Sequence, residues 1–181
     1  STDEFTKEIF LKRIEAENQL ILQTFLAEKK VIPGVYVNRV EMESKLREWM
    51  GARANIFFIA AEAGSGKTNL LVEMQQQYAS FGHPSLLLRA GRLEKKSLKE
   101  QLAYLLNIEN DLSKFPTIAG TQTEPTFVFL DGLNEANQPE NMWKDLLSMV
   151  EMYPHGVFKW VVACRANTVA DLERYELFER E

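Results

Sequence analysis

Apolar positions change their period along this chain. From Phe5 to Lys29 there is neither Gly nor Pro, and Phe10, Ile14, Ile21 and Phe25 recur at helical spacing with charges between them. That pattern predicts an amphipathic helix. Pro33-Gly34 ends it, and a short extended piece, Val35-Tyr36-Val37, leads into a second helical pattern carrying Leu46 and Trp49 up to Gly51. After that the period shortens to strand-length apolar runs alternating with helical patterns, the signature of parallel-sheet α/β units.

Four strands can be named: Asn55 to Ala61, Ser85 to Arg89, Thr126 to Asp131 and Phe158 to Cys164. Each is almost continuously apolar, as expected of strands buried on both faces. Lys67 opens a helix striped by Leu70, Leu71, Met74, Tyr78 and Phe81. Ser97-Leu98-Lys99-Glu100 has the form of a capping box before a helix with Leu98, Leu102, Leu105 and Leu106 on one face. Pro139 suits the first turn of a helix striped by Trp143, Leu146, Leu147 and Val150. Thr168 with Asp171 starts a last one, and about Asn110 to Glu124 is a polar surface connection. The fold class expected is therefore α/β, a three-layer sandwich on a mainly parallel sheet of at least four strands. Residues 1–34 form an N-terminal helical arm, placed on its own domain ahead of pairing with a copy of itself, and residues 35–181 form the core.

Bulk properties narrow the partners. At 181 residues and 45% hydrophobic content the chain supports one sizeable core. A formal net charge of -5, with basic and acidic residues interleaved, gives no strong nucleic-acid signal. The single Cys164 excludes an internal disulfide and lies in an apolar run, so it reads as a buried core thiol. No apolar stretch reaches the roughly 18 residues of a membrane span, and no signal peptide opens the chain, so the expected location is cytoplasmic.

The strongest chemical signal follows the first core strand: Ala61-Glu62-Ala63-Gly64-Ser65-Gly66-Lys67-Thr68. It fits the P-loop pattern with Ala in place of the opening Gly. A triphosphate needs backbone N–H groups turned inward around the β-phosphate, and Gly64 and Gly66 supply conformations and a close approach that side chains forbid. Glu62 to Asn69 are the candidate nucleotide-binding residues. Lys67 bridges the β- and γ-phosphate oxygens, Thr68 offers a hydroxyl to Mg2+, and the following helix adds its N-terminal dipole.

A second element is the apolar strand Phe127-Val128-Phe129-Leu130 ending in Asp131. Downstream of a P-loop such an Asp holds magnesium, commonly through water. Next come Gly132-Leu133-Asn134-Glu135, where Glu135 is the one carboxylate able to orient or deprotonate an attacking water; the alternative is a solvated loop glutamate. Asn134 can position water or phosphate but cannot take a proton. The strand ending Cys164-Arg165 delivers a cation to the ligand-binding end of a parallel sheet, where Arg165 either senses the γ-phosphate or forms a structural ion pair. His83 and His155 lie in turns and read as surface residues.

With the loop and Asp131-Gly132-Leu133-Asn134-Glu135 together, the sequence resembles the NACHT branch of the STAND signal-transduction NTPases, relatives of the AAA+ class, over about Val35 to Thr168. The small residue directly after the Asp is that branch's mark, in a pattern of Asp, small, apolar, Asp, Glu. Asn134 replaces the second Asp. Cys164-Arg165 resembles the family's Ser-Arg at the end of the sensor strand, and Leu86 to Ser97-Leu98 its second strand and following helix. The resemblance implies that the Arg165 strand lies between the P-loop strand and the Asp131 strand. It implies that Tyr36 to Arg39 lie near the base, with Asn38 in place of the usual Gly. It implies a purine nucleotide, ATP ahead of GTP, with Mg2+ as cofactor, and an excised nucleotide-binding core whose fifth strand, lid and winged-helix region are absent. The function expected is an ATP-binding and hydrolysing switch of a signalling protein, with assembly through domains not present. The alternatives are a nucleotide-holding scaffold with little turnover, an AAA+ motor or loader ATPase, and a P-loop small-molecule kinase.

Overall fold

The computed structural model describes residues 2–28, 40–52, 54–60, 66–93, 97–107, 124–153 and 157–173. Tyr36 to Arg39, His155, the fold of loop residues 61–65 and most of the 110–124 connection lie outside them. Helix α1 spans Thr2–Ala27 and α2 Val40–Met50; β1 is Ile56–Ala60, α3 Lys67–Ser80, β2 Ser85–Arg89 and α4 Leu98–Leu105. Strand β3 is Thr126–Asp131, α5 Pro139–Met152, β4 Phe158–Cys164 and α6 Ala166–Glu173. The four strands form one all-parallel sheet in the order β1-β4-β3-β2. Strand β4, which ends at Cys164 just before Arg165, thus stands between β1 and β3, the order expected from the sequence.

Period-two alternation inside the continuous apolar runs sorts side chains to two faces. Leu86, Leu88, Val128, Leu130, Trp160, Val162 and Cys164 pack against α4, α5 and α6. Leu87, Phe127, Phe129, Val161 and Ala163 pack against α2 and α3. The result is the three-layer α/β sandwich expected. β2, β3 and β4 are buried throughout, but β1 lies at the sheet edge and is only half-buried over Ile56 to Phe58.

Several local expectations need correction. Phe81 is 69% exposed, because α3 ends at Ser80 and the chain turns before Phe81 can reach the core. The last helix begins at Ala166, ahead of Thr168, whose N–H bonds back to the Arg165 carbonyl. Leu105, Leu147 and Val150 are half-buried at the margin of the core. His83 is half-buried, its ring edge-on to Phe127 and Tyr78. Ser97 does cap α4, its Oγ accepting from Glu100 N–H at 3.3 Å, but the Leu98 N–H is taken by Asp145 of α5 at 3.1 Å.

Helix α1 is seated on β2, with Phe10 and Ile14 in one core cluster and Phe25 in the other. Its Asn18 does the work of a neighbouring strand. The side-chain amide donates to the Ser85 carbonyl at 2.8 Å, and its oxygen accepts from Leu87 N–H at 2.7 Å. An exposed edge would leave those groups as a template for another chain. On the other side of the sheet, buried Lys159 donates to the carbonyls of Trp49, Met50 and Ala52 at 3.2, 3.1 and 2.7 Å, closing the C-terminus of α2. Among the described residues, no helix is long and apolar enough to cross a membrane.

Replacing Asn18 by Ala strips two edge groups of their partner, so Asn18→Ala should lower the unfolding free energy by about 1–3 kcal/mol in urea titration, with exposed Gln19→Ala within about 0.5 kcal/mol of the parent. A second expectation concerns pH. Hydrogen bonds from Arg89 and then Arg92 pull the Glu28 carboxyl down from 4.5 to about 2. A depressed carboxylate stabilises the fold above its ordinary titration range and loses that contribution as pH falls through the lowered value. The thermal midpoint of the parent should therefore exceed that of Glu28→Gln at pH 6 and converge with it towards pH 2.

Candidate functional site

A doubly wound sheet binds ligands where the chain leaving adjacent strands departs to opposite faces. That place here is the carboxyl end of β1 and β4. From β1 the chain passes to α3 on one face, whereas β4 leads to α6, whose Leu172 joins the opposite cluster. Register brings the ends level: Ala60 is opposite Cys164, and Asp131 is opposite Arg89.

Of the candidate nucleotide-binding residues, Glu62, Ala63, Gly64 and Ser65 lie outside the described residues. Gly66 has φ 82 and ψ 16, the left-handed conformation that glycine adopts without cost, and it is the N-cap of α3. Having no side chain, Gly66 gives the first turn no side-chain cap. Lys67, Thr68 and Asn69 follow in that turn, all half-buried. The charge of Lys67 reaches the Cys164 thiol, which burial nonetheless pushes up to about 12; Cys164 is fully buried, the core thiol expected.

Thr68 and Asp131, 63 residues apart, meet here. The Thr68 hydroxyl donates towards the Asp131 carboxylate, 3.1 Å from Oδ2 and 3.3 Å from Oδ1. Asp131 is 4% exposed at the end of β3. Gly132 then turns the chain at φ 69 and ψ 46. A Cβ there would stand 3.0 Å from Glu135 Oε2, since the Glu135 side chain folds back over Gly132 and towards Gly91. The small residue after the Asp thus has a steric reason. Glu135 itself closes a 3-10 turn, Leu133–Glu135, and is exposed.

Asn134 is engaged as well. Its Oδ1 accepts from the Arg165 N–H at 3.1 Å, tying the loop after β3 to the end of β4. Aspartate would accept the same bond, so Asn134 preserves the tie while carrying one negative charge fewer. Arg165 is exposed at the carboxyl end of β4, beside β1. Sequence reasoning missed Arg89, which is 8% exposed at the end of β2. Its hydrogen bond to Glu28 holds its pKa above the ordinary value despite burial, and the charges of Glu135 and Asp131 act in the same direction. The legible signal was a lone cation closing an apolar strand in register with Asp131.

No protein-family model matches the chain, and no curated protein is found to match it.

Alanine at position 132 must adopt a left-handed backbone and displace the Glu135 carboxylate. Gly132→Ala should cost about 1–2 kcal/mol in denaturant unfolding. Adding Glu135→Ala should return only part of that loss, because it relieves the contact and leaves the backbone strain.

Proposed function

We propose that this chain is a magnesium-dependent nucleotide-binding and hydrolysing module, with ATP as its nucleotide, working as the switch of a NACHT-type signalling protein. The observation that carries the proposal is the meeting of Thr68 with Asp131 across 63 residues, at the first turn of a helix whose N-cap, Gly66, has no side chain. Their oxygens are 3.1 Å apart. Two hard oxygens brought together in this way suit a small divalent cation, which the hydroxyl would reach directly and the carboxylate directly or through water. Among the described residues no group of three or more His, Cys, Asp or Glu is placed to hold a metal ion.

Each residue then has a task. Thr68 and Asp131 would hold Mg2+, which when bound would neutralise phosphate charge. Gly66 and the α3 N-terminus present N–H groups to the phosphates, together with the loop from Glu62 to Ser65 and with Asn69. Lys67 carries the charge to the β- and γ-oxygens. Glu135 takes a proton from, or orients, the attacking water, and Arg165 meets charge that develops on the transferred phosphoryl group. A switch needs the nucleotide states to differ in affinity for two arrangements of the protein, the second half of which lies in its assembly partners. The AAA+ motor reading places an acid directly after Asp131, a position here in the left-handed conformation with Glu135 packed on it.

Titration with ATP, GTP and ADP, with and without Mg2+, followed by phosphate release, tests the proposal. ATP binding should need Mg2+ and vanish in Lys67→Ala; Thr68→Ala and Asp131→Asn should lose the magnesium dependence. Glu135→Gln should keep ATP affinity and slow release by about 100-fold or more. Unchanged release in Glu135→Gln sinks the base assignment, and tight binding without any release in the parent turns the module into a scaffold.

A further inference from the structure

A buried cation stands behind the two acids. Arg89 closes β2 in register with Asp131, and its Nη2 donates to Glu28 Oε2 at the end of α1. Its guanidinium lies 5.2 Å over the Phe25 ring, and its Nη1 is buried with no hydrogen-bond partner among the described residues. Arginine does not shed its proton in proteins, so a guanidinium 8% exposed must be offset by anions. Glu28 is its main anion, and the other Glu28 oxygen also takes Arg92 at 2.8 Å. The charges of Glu135 and Asp131 act on Arg89 in the same sense, as smaller contributions.

Those two acids have the opposite difficulty. They belong to one tight turn, and like charges brought together push each other apart unless a cation lies between or behind them. Glu135 folds back over Gly132 towards Gly91, two residues after Arg89, which is the β2 side of Asp131.

We propose that Arg89 is a positioning residue: anchored on Glu28 and Phe25, its guanidinium offsets the repulsion between Asp131 and Glu135 and fixes where the Glu135 carboxylate stands. The inference rests on the hydrolase reading above. It differs from a latch role, in which Arg89 does no more than fasten α1 to the sheet.

The two are separated by comparing both partners of the ion pair in the full chain. Glu28→Gln breaks the fastening and leaves the charge of Arg89 in place. Arg89→Met removes both. Arg89→Lys keeps the charge. For each, the thermal midpoint, the KM for MgATP and kcat for phosphate release are measured beside the parent and Lys67→Ala. Arg89→Met should lower kcat by at least about 10-fold with KM within about 3-fold, Arg89→Lys should recover most of that loss, and Glu28→Gln should lower the midpoint while holding kcat within about 3-fold. Equal changes of kcat in Glu28→Gln and Arg89→Met reduce Arg89 to a latch, and parental kcat in Arg89→Met overturns its role altogether. If Arg89→Met does not fold, Arg89→Gln, which keeps a donor for Glu28 without the charge, is held to the same outcomes. A parent chain releasing no more phosphate than Lys67→Ala overturns the hydrolase reading and the role of Arg89 with it; an active parent with indifferent Arg89 variants overturns only the latter.

Discussion

Parallel pairing of β3 between β4 and β2 is the constraint on which the candidate site depends. In a parallel sheet every strand delivers its following loop to the same end. Register decides whether those ends finish level, and here Ala60 faces Cys164, Leu130 faces Val162 and Asp131 faces Arg89. The ends therefore agree to within about one residue, or about 3.3 Å. A slip of β3 by one position would send its apolar set to the wrong faces and carry Asp131 away from Thr68. Packing on both faces thus holds an acid and a hydroxyl from distant parts of the chain within a hydrogen bond of each other.

Polar side chains secure what apolar packing cannot. Burying a parallel sheet on both faces still leaves strand edges and helix ends with unpaired backbone groups. Asn18 answers for the β2 edge and Lys159 for the C-terminus of α2. Lys159 is costly to bury, and burial lowers its pKa. Three carbonyls and the Trp49 ring, 4.8 Å away, offset that cost. Both residues are polar interruptions that look, in isolation, like surface positions.

This explains which parts were legible in the amino-acid sequence. Strands β2, β3 and β4 were readable to the residue because each is an apolar run bounded by turn-forming or charged residues, and helix stripes followed from spacing alone. The left-handed turn at Gly66 and the nearness of Thr68 to Asp131 were anticipated because a phosphate-loop pattern restricts residue types so tightly. What escaped depends on contacts between remote segments. Asn18 meets Ser85 across 67 residues, Lys159 meets Trp49 across 110, and Glu28 meets Arg89 across 61. No local period encodes such pairs. Phe81 misled for the converse reason: its helical spacing continues the stripe of α3 beyond the point where the backbone leaves the helix.

Charge is the last element of the arrangement. The chain carries a net charge of -5, so its long-range field opposes a polyanion. At physiological ionic strength that field fades within about 8 Å, and affinity for a nucleotide of the proposed kind has to arise at contact distance. The proposed reading places that contact at the carboxyl end of the sheet. Lys67, the α3 N-terminus and Arg165 offer positive charge on the β1 and β4 side, Arg89 offers it on the β2 side, and Asp131 and Glu135 stand between. Acids flanked by cations on both sides are positioned before any ligand arrives, as the proposed nucleotide reading requires. Such preorganisation is what separates a site from a collection of compatible residues.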